Sequence, residues 1–153
     1  MLDRTDRRLL DAIQQDATRT LAELAELVGL SRNACWTRLR RLEDEGYVLG
    51  RRALLNREKL NLGLMVFVSI KTDNHSQAWA KDFRRAVADL PEIVGVFRTA
   101  GETDYLIQAV VPDVKAYDAL YQRLTARLTL SDVSGAFVME EIKATSELPL
   151  DYA

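Results

Sequence analysis

Thr20–Gly46, TLAELAELVGLSRNACWTRLRRLEDEG, is the stretch whose reading decides the architecture. Thr20 is suited to cap a helix in which Leu21, Leu24, Ala25 and Val28 recur at helical spacing. Gly29 ends that helix, since the residue after a helix often needs positive φ. Leu30 then plugs a turn and Ser31 caps a second helix. At about 100° per residue, Cys35, Leu39 and Leu42 fall on one side of this second helix and must face the protein. Asn33, Thr37, Arg40 and Asp44 point the opposite way, Arg32, Arg38 and Arg41 lie on the flanks, and Gly46 closes the helix. Two short helices joined by a tight glycine-containing turn form the helix-turn-helix pattern, whose second helix enters the major groove of DNA.

The residue types suit that task. Arginine offers a planar fork matching guanine O6/N7 or a phosphate, while Asn and Thr bond base edges or backbone. Asn33 and Thr37 lie in the N-terminal half of the helix, the part usually nearest the bases. Arg38, Arg40 and Arg41 sit further along, where phosphate contact is expected. The candidate DNA contacts are therefore Ser31, Arg32, Asn33, Thr37, Arg38, Arg40 and Arg41, joined by Arg51 and Arg52 beyond the helix. An arginine-rich helical face is, taken alone, more often simply a solvated one. The preceding helix, the turn and the cap turn the reading toward DNA.

The rest of the chain frames this pair. Its 153 residues, 48% of them hydrophobic, suit a soluble protein of one or two small domains. No apolar run is long enough to span a membrane, and the amphipathic start MLDRTDRRLLDAIQQD lacks a signal-peptide core, so a cytoplasmic location is expected. A single cysteine, Cys35, fits a reducing compartment and reads as a small apolar filler. The net charge of −2 gives no bulk support for nucleic-acid binding. The charge is unevenly spread, however: eleven arginines stand against nine acids up to Arg57, and ten basic residues against fourteen acids after it. A locally positive reader on an acidic second domain is the pattern this suggests.

A first helix runs from Asp3, its cap, to about Gln15, with Leu9, Leu10 and Ile13 inward. Tyr47–Leu55 suggests a small strand or wing, and its Arg51 and Arg52 either touch the DNA backbone or are solvated. Asn56–Gly63 is a linker, dividing the chain into residues 1–56 and 57–153. The second part reads as strand (LMVFVSIK, from Leu64), helix (capped by Ser76, stopped by Pro91), strand (Ile93–Ala100), strand (Tyr105–Val111), helix (from Pro112 and Asp113) and strand (Val133–Lys143), followed by a tail. In that helix Val114, Tyr117, Leu120, Tyr121, Leu124 and Leu128 fall inward. This βαββαβ order is the ferredoxin-like sandwich, and the whole chain is α+β. Two helices cover only one face of four strands. The other face is apolar in the first and last strands and calls for another subunit, so a dimer or larger assembly is expected.

Three strings in the right order, VGLSRNACWTRLRRLEDEGYVLG, GETDYLIQAVVPD and VMEEIK, carry a resemblance over nearly the full length. The chain resembles the leucine- and asparagine-responsive (Lrp/AsnC) transcription regulators of bacteria and archaea. The resemblance implies a winged helix-turn-helix followed by an amino-acid-sensing, ACT-like domain that also oligomerises. Dimers would associate into tetramers or octamers on double-stranded DNA, and a small amino acid would alter assembly or promoter output. Two departures stand out. Trp36 replaces a smaller residue at the edge of the buried face, where it either packs on the first helix or leans on a sugar or thymine methyl. Arg51, Arg52 and Arg57 replace the Tyr or Pro common in the linker.

Gly101-Glu102-Thr103-Asp104-Tyr105 is the candidate effector turn. An amino acid's ammonium calls for a carboxylate such as Glu102 or Asp104, and its carboxylate for backbone N–H groups or a hydroxyl, as Gly101 and Thr103 offer. By residue chemistry alone an ordinary hairpin turn explains these residues as well; the resemblance favours the effector. Val133–Ala136, with Ser134 and Ala136, is a weaker candidate for the pocket wall. His75 reads as a solvated loop residue, and Glu140 and Glu141, adjacent on the expected last strand, point to opposite faces. No phosphate loop, metal cluster or catalytic constellation is expected, hence no cofactor and no enzyme. The competing reading is a ferredoxin-like small-molecule sensor or enzyme regulatory subunit whose N-terminal helices dock a protein.

Overall fold

Capping residues set the first three helices. In the computed structural model, which describes all 153 residues, α1 spans Arg4–Gln15 behind the N-cap Asp3. Asp6 N–H donates to Asp3 Oδ1 at 2.8 Å and Asp3 N–H donates back to Asp6 Oδ2 at 3.1 Å, a reciprocal capping box. α2 (Leu21–Val28) has the same device in Thr20 and Glu23, and it ends at Gly29 with φ 72°. α3 (Arg32–Asp44) starts at Ser31, whose Oγ accepts from Ala34 N–H at 3.2 Å. Leu9, Leu10 and Ile13 of α1, Leu24, Ala25 and Val28 of α2, and Cys35, Leu39 and Leu42 of α3 form one core with Leu2. Helical periodicity points each of these inward except Leu2, which precedes α1.

The chain divides into two compact units: Met1–Leu54 together with Lys143–Ala153, and Leu55–Ile142. The terminal segment, expected with the second domain, thus belongs to the helical one. Gln14 Nε2 donates to Leu148 O at 3.0 Å, Leu148 N–H donates to Gln14 Oε1 at 2.9 Å, and Leu150 packs against the helical core. The strand expected after α3 is corrected. Tyr47–Leu55 contains no strand, because a strand needs a ladder partner and no second segment of this unit supplies one.

The second unit is a four-stranded antiparallel sheet in the order β2-β3-β1-β4, with β1 Leu64–Lys71, β2 Ile93–Arg98, β3 Tyr105–Val111 and β4 Asp132–Phe137. α4 (Gln77–Ala88) and α5 (Val114–Thr125) complete the βαββαβ order. Val66, Val68 and Ile70 of β1 and Ile107, Ala109 and Val111 of β3 are buried against Trp79 and Phe83 of α4 and Leu120 and Leu124 of α5. Val114, expected inward, is exposed at the first position of α5. β4 stops at Phe137, short of the expected Lys143, since β1 begins at Leu64 and offers no partner beyond the Val138 N–H to Met65 O bond. Glu140 and Glu141 therefore lie past the strand, and Glu141 instead holds Arg57 at 2.9 Å.

Alternation along the strands gives the sheet a second face that no helix of the unit covers. Met65, Phe67 and Ser69 of β1 alternate with the buried set, and Leu106, Gln108 and Ala136 pair beside them in register. Phe97, opposite Leu106, is 52% exposed.

Candidate nucleic-acid interface and ligand turn

α3 presents an outward strip whose members differ from the expectation in two ways. Arg32, Asn33, Thr37 and Arg40 are exposed. Thr37 Oγ1 donates to Asn33 O at 2.9 Å, a bond that uses the hydroxyl's proton and keeps its lone pairs available as acceptors. Arg40 approaches only Glu43, at 3.9 Å. Ser31 is exposed too, but its hydroxyl is engaged as the helix cap. Arg38 and Arg41, expected on phosphates, turn instead to α1. Arg38 Nη1 donates to Asp3 Oδ2 at 2.5 Å and to Asp6 Oδ1 at 2.8 Å, and Arg41 Nη2 donates to Asp6 Oδ2 at 2.6 Å.

The physical reason is Asp6. Its side chain is fully buried, and a buried carboxylate requires paired charge and saturated oxygens. Burial works to raise its pKa. Hydrogen bonds from Arg41, the Asp3 N–H and Arg38 outweigh that effect and hold it down at about 2. The two arginines are thereby ties between α3 and α1. Of the two cations beyond the helix, Arg51 pairs with Glu43 at 3.0 Å, while Arg52 is exposed. Trp36 supplies the second difference. It is 56% exposed and is not among the core residues, so it does not pack on the first helix.

The candidate effector turn separates into two halves. Asp104 looks inward: its Oδ2 accepts from Thr72 N–H at 2.9 Å and its own N–H donates to Ile70 O at 3.0 Å, binding the turn to the end of β1. Tyr105 also turns away, packing at a tilt against Phe83 with ring centroids 4.4 Å apart and against Trp79 at 5.7 Å. Neither is free to hold a ligand on the turn's outer side. Glu102 and Thr103, by contrast, line a shallow hollow of about 310 Å³ with Ser69, Thr99, Ala100 and Leu106. Thr99 Oγ1 donates to Thr103 O and closes the loop's neck, while Gly101 sits at φ 131°, where a side chain would strain the backbone. Ser134 lies opposite Ser69 and Ala136 opposite Phe67, on the uncovered face but outside the hollow's lining.

Both halves of the chain match known families. Residues 2–48 match the winged helix-turn-helix DNA-binding model and residues 65–148 the Lrp/AsnC ligand binding domain. The chain belongs to the Lrp/AsnC family. It is similar to the DNA-binding transcriptional activator DecR of Escherichia coli, with 49% identity over 99% of this chain and 100% of the relative. Among solved Lrp/AsnC structures it is similar to an AsnC family transcriptional regulator from Agrobacterium tumefaciens, with 48% identity, a TM-score of 0.95 and 99% of each chain covered. A transcriptional regulator from Neisseria meningitidis, solved as a complex with L-Met, gives a TM-score of 0.95 at 37% identity, again over 99% of each chain.

As an Lrp/AsnC protein the chain is a DNA-binding transcriptional regulator, and its fold is the family's α+β pair of domains. Two features escaped the sequence reading. Asp6 was hidden because its partners lie more than thirty residues away, although its place as third helical residue behind a capping Asp pointed its carboxylate back toward the helix start. Tyr105 was misplaced, yet strand alternation from Ile107, Ala109 and Val111 would have put it on the helix-covered face.

Proposed function

We propose that the chain is a sequence-specific regulator tuned by a small amino acid and working in the cytoplasm as dimers that assemble further. The observation that carries the effector half is the hollow at the edge of the uncovered sheet face. Its lining includes one exposed carboxylate, Glu102, the hydroxyl residues Ser69, Thr99 and Thr103, and Leu106. A carboxylate complements an ammonium, hydroxyls and turn N–H groups complement a carboxylate, and Leu106 offers an apolar surface for a side chain. The Neisseria relative crystallised with L-Met supports the ligand class.

The apolar side chains Met65, Phe67, Leu106, Val110 and Phe97 share the uncovered face. A contiguous patch of this kind in a soluble chain is a site for another protein surface, and a second copy supplies a self-complementary one. Covering that face also roofs the hollow, so ligand and assembly share an edge. A ligand that prefers one arrangement of copies then shifts the population toward it.

On DNA, each α3 offers Arg32, Asn33, Thr37 and Arg40 to the major groove, with Arg52 as a phosphate contact. Two copies in a dimer would meet two half-sites of a pseudo-palindrome. The test has two arms. A melting-point screen of the twenty amino acids should single out one or a few that raise the transition. Mobility shifts on the DNA upstream of its own gene should show binding that weakens steeply with salt. No amino acid shifting the melt removes the effector reading, and salt-insensitive binding removes the groove reading.

A further inference from the structure

The helix-turn-helix unit leaves one large apolar group in water on the face where its polar readers stand. Trp36 is 56% exposed, whereas Trp79, the chain's other tryptophan, is 7% exposed and donates its Nε1–H to Thr129 O at 3.1 Å. Trp36 lies three residues after Asn33 and four before Arg40, and residues at those separations are neighbours on a helix surface. It therefore stands in the outward strip, on the side away from the Arg38 and Arg41 ties to Asp6. Nothing in the helical core needs it: Cys35, Leu39 and Leu42 already fill the inward face of α3 and are at most 8% exposed.

The floor of the major groove carries hydrogen-bond donors and acceptors at every base pair and one apolar group, the C5-methyl of thymine. Asn and Arg are matched to the purine edges, and an indole between them is not. It offers a flat apolar face for the methyl. We propose that Trp36 is a specificity-determining residue that covers thymine methyl groups in the bound site, so that the preferred half-site carries thymine at the position between those read by Asn33 and Arg40. This rests on the reading of α3 as the groove-entering helix.

The experiment uses the full chain and the tightest duplex recovered from a random-sequence pool, prepared once with thymine and once with deoxyuridine throughout. Removing a covered methyl lowers affinity by about fourfold for each one lost. Wild-type protein should show that loss. Trp36→Ala should bind the thymine duplex more weakly than wild type, at an unchanged salt slope because the indole neutralises no phosphate. It should then be indifferent to the change to deoxyuridine. Trp36→Phe should recover part of the discrimination. The melting transition of both variants should match wild type, since the side chain is outside the core. Wild-type indifference to deoxyuridine, or a Trp36→Ala protein that keeps the full penalty, overturns the proposal while leaving groove binding intact. A chain that recovers no duplex at all overturns the groove reading and this proposal with it.

Discussion

Asp6 of α1 and Arg41 of α3 form a 2.6 Å ion pair in which the carboxylate is fully buried and the guanidinium is partly exposed. Arg38 completes it from the preceding turn of α3, at 2.8 Å. The capping residue of the first helix and the recognition helix are thus locked through one acid. Asp6→Asn should lower the stability of the helical unit by roughly 2–4 kcal/mol, since it removes the charge that two arginines were positioned to meet. Urea unfolding followed at the helical unit measures this.

The same acid sets a pH dependence. Its folded pKa, about 2, lies below the ordinary carboxylate value of 3.8. Between those values the unfolded chain binds more protons than the folded one, so stability must fall as pH falls. The contribution is complete above about pH 4 and is lost on approach to pH 2. The stability gap between wild type and Asp6→Asn should therefore be largest near neutrality and shrink through that window. A gap that stays constant down to pH 2 contradicts the assignment.

Arg40 and Arg41 are neighbours in sequence with different duties. Arg40 is exposed and has only a 3.9 Å approach to Glu43, whereas Arg41 is committed to Asp6. Arg40→Ala should weaken DNA binding and relax the sequence preference at the base it reads, with no change in melting. Arg41→Ala should lower the melting transition, and any loss of DNA binding should track that instability. Mobility shifts paired with thermal melts on the two variants separate the roles.

Much of this was legible in the chain because it is periodic. The inward residues of α1, α2 and α3 repeat at helical spacing and their caps are local, so both can be read without tertiary knowledge. What could not be read depends on where elements cross. Arg38 and Arg41 look like phosphate contacts until α1 brings Asp6 beneath them. The docking of the tail rests on the amide side chain of Gln14 and on Leu150, neither of which belongs to a periodic pattern. The expected strand at Tyr47–Leu55 is absent for the opposite reason: the segment has strand-like composition but no partner to pair with. At the ligand turn, composition gathered five adjacent residues, and the fold then divided them between core and surface.

That division predicts different phenotypes for two acids of the turn. Asp104→Asn weakens the bond to Thr72 N–H, a charge-assisted hydrogen bond between β1 and the turn. It should cost about 1–2 kcal/mol of stability with or without ligand. Glu102→Gln should leave the unliganded melt unchanged and abolish the upward shift given by the amino acid that stabilises wild type. The reverse pattern, ligand response lost only in the Asp104 variant, would falsify the assignment of Glu102 to the ammonium.

Gly135 in β4 is required by a close approach. A Cβ built there would lie 2.3 Å from Tyr117 Oη and 2.9 Å from its Cζ, and Tyr117 is in turn held edge-on to Phe137 at 5.2 Å. Gly135→Ala should therefore cost about 1–3 kcal/mol through forced repacking. In a Tyr117→Ala background the same substitution should cost less, since the clashing ring is gone. A double-mutant cycle by urea unfolding gives the coupling directly; additive losses would show that the strain lies elsewhere.

The last expectation concerns the tail, which is held by two backbone–amide bonds and one leucine. Gln14 both donates to and accepts from Leu148, and Leu150 adds its side chain to the core formed by α1, α2 and α3. Each hydrogen bond contributes roughly 0.5–1.5 kcal/mol net, and partial burial of a leucine adds an increment of similar size. Gln14→Ala should release the first contribution and Leu150→Asp the second, so that each lowers the stability of the helical unit by about 1–2 kcal/mol. Their effects should fall short of additive, because freeing either anchor loosens the other. Amide hydrogen exchange localises the change: faster exchange should appear in α1 and in the segment after Lys143, with β1 and β3 unaffected. Uniform acceleration across the sheet would mean that the tail stabilises the chain by some route other than its seat on the first helix.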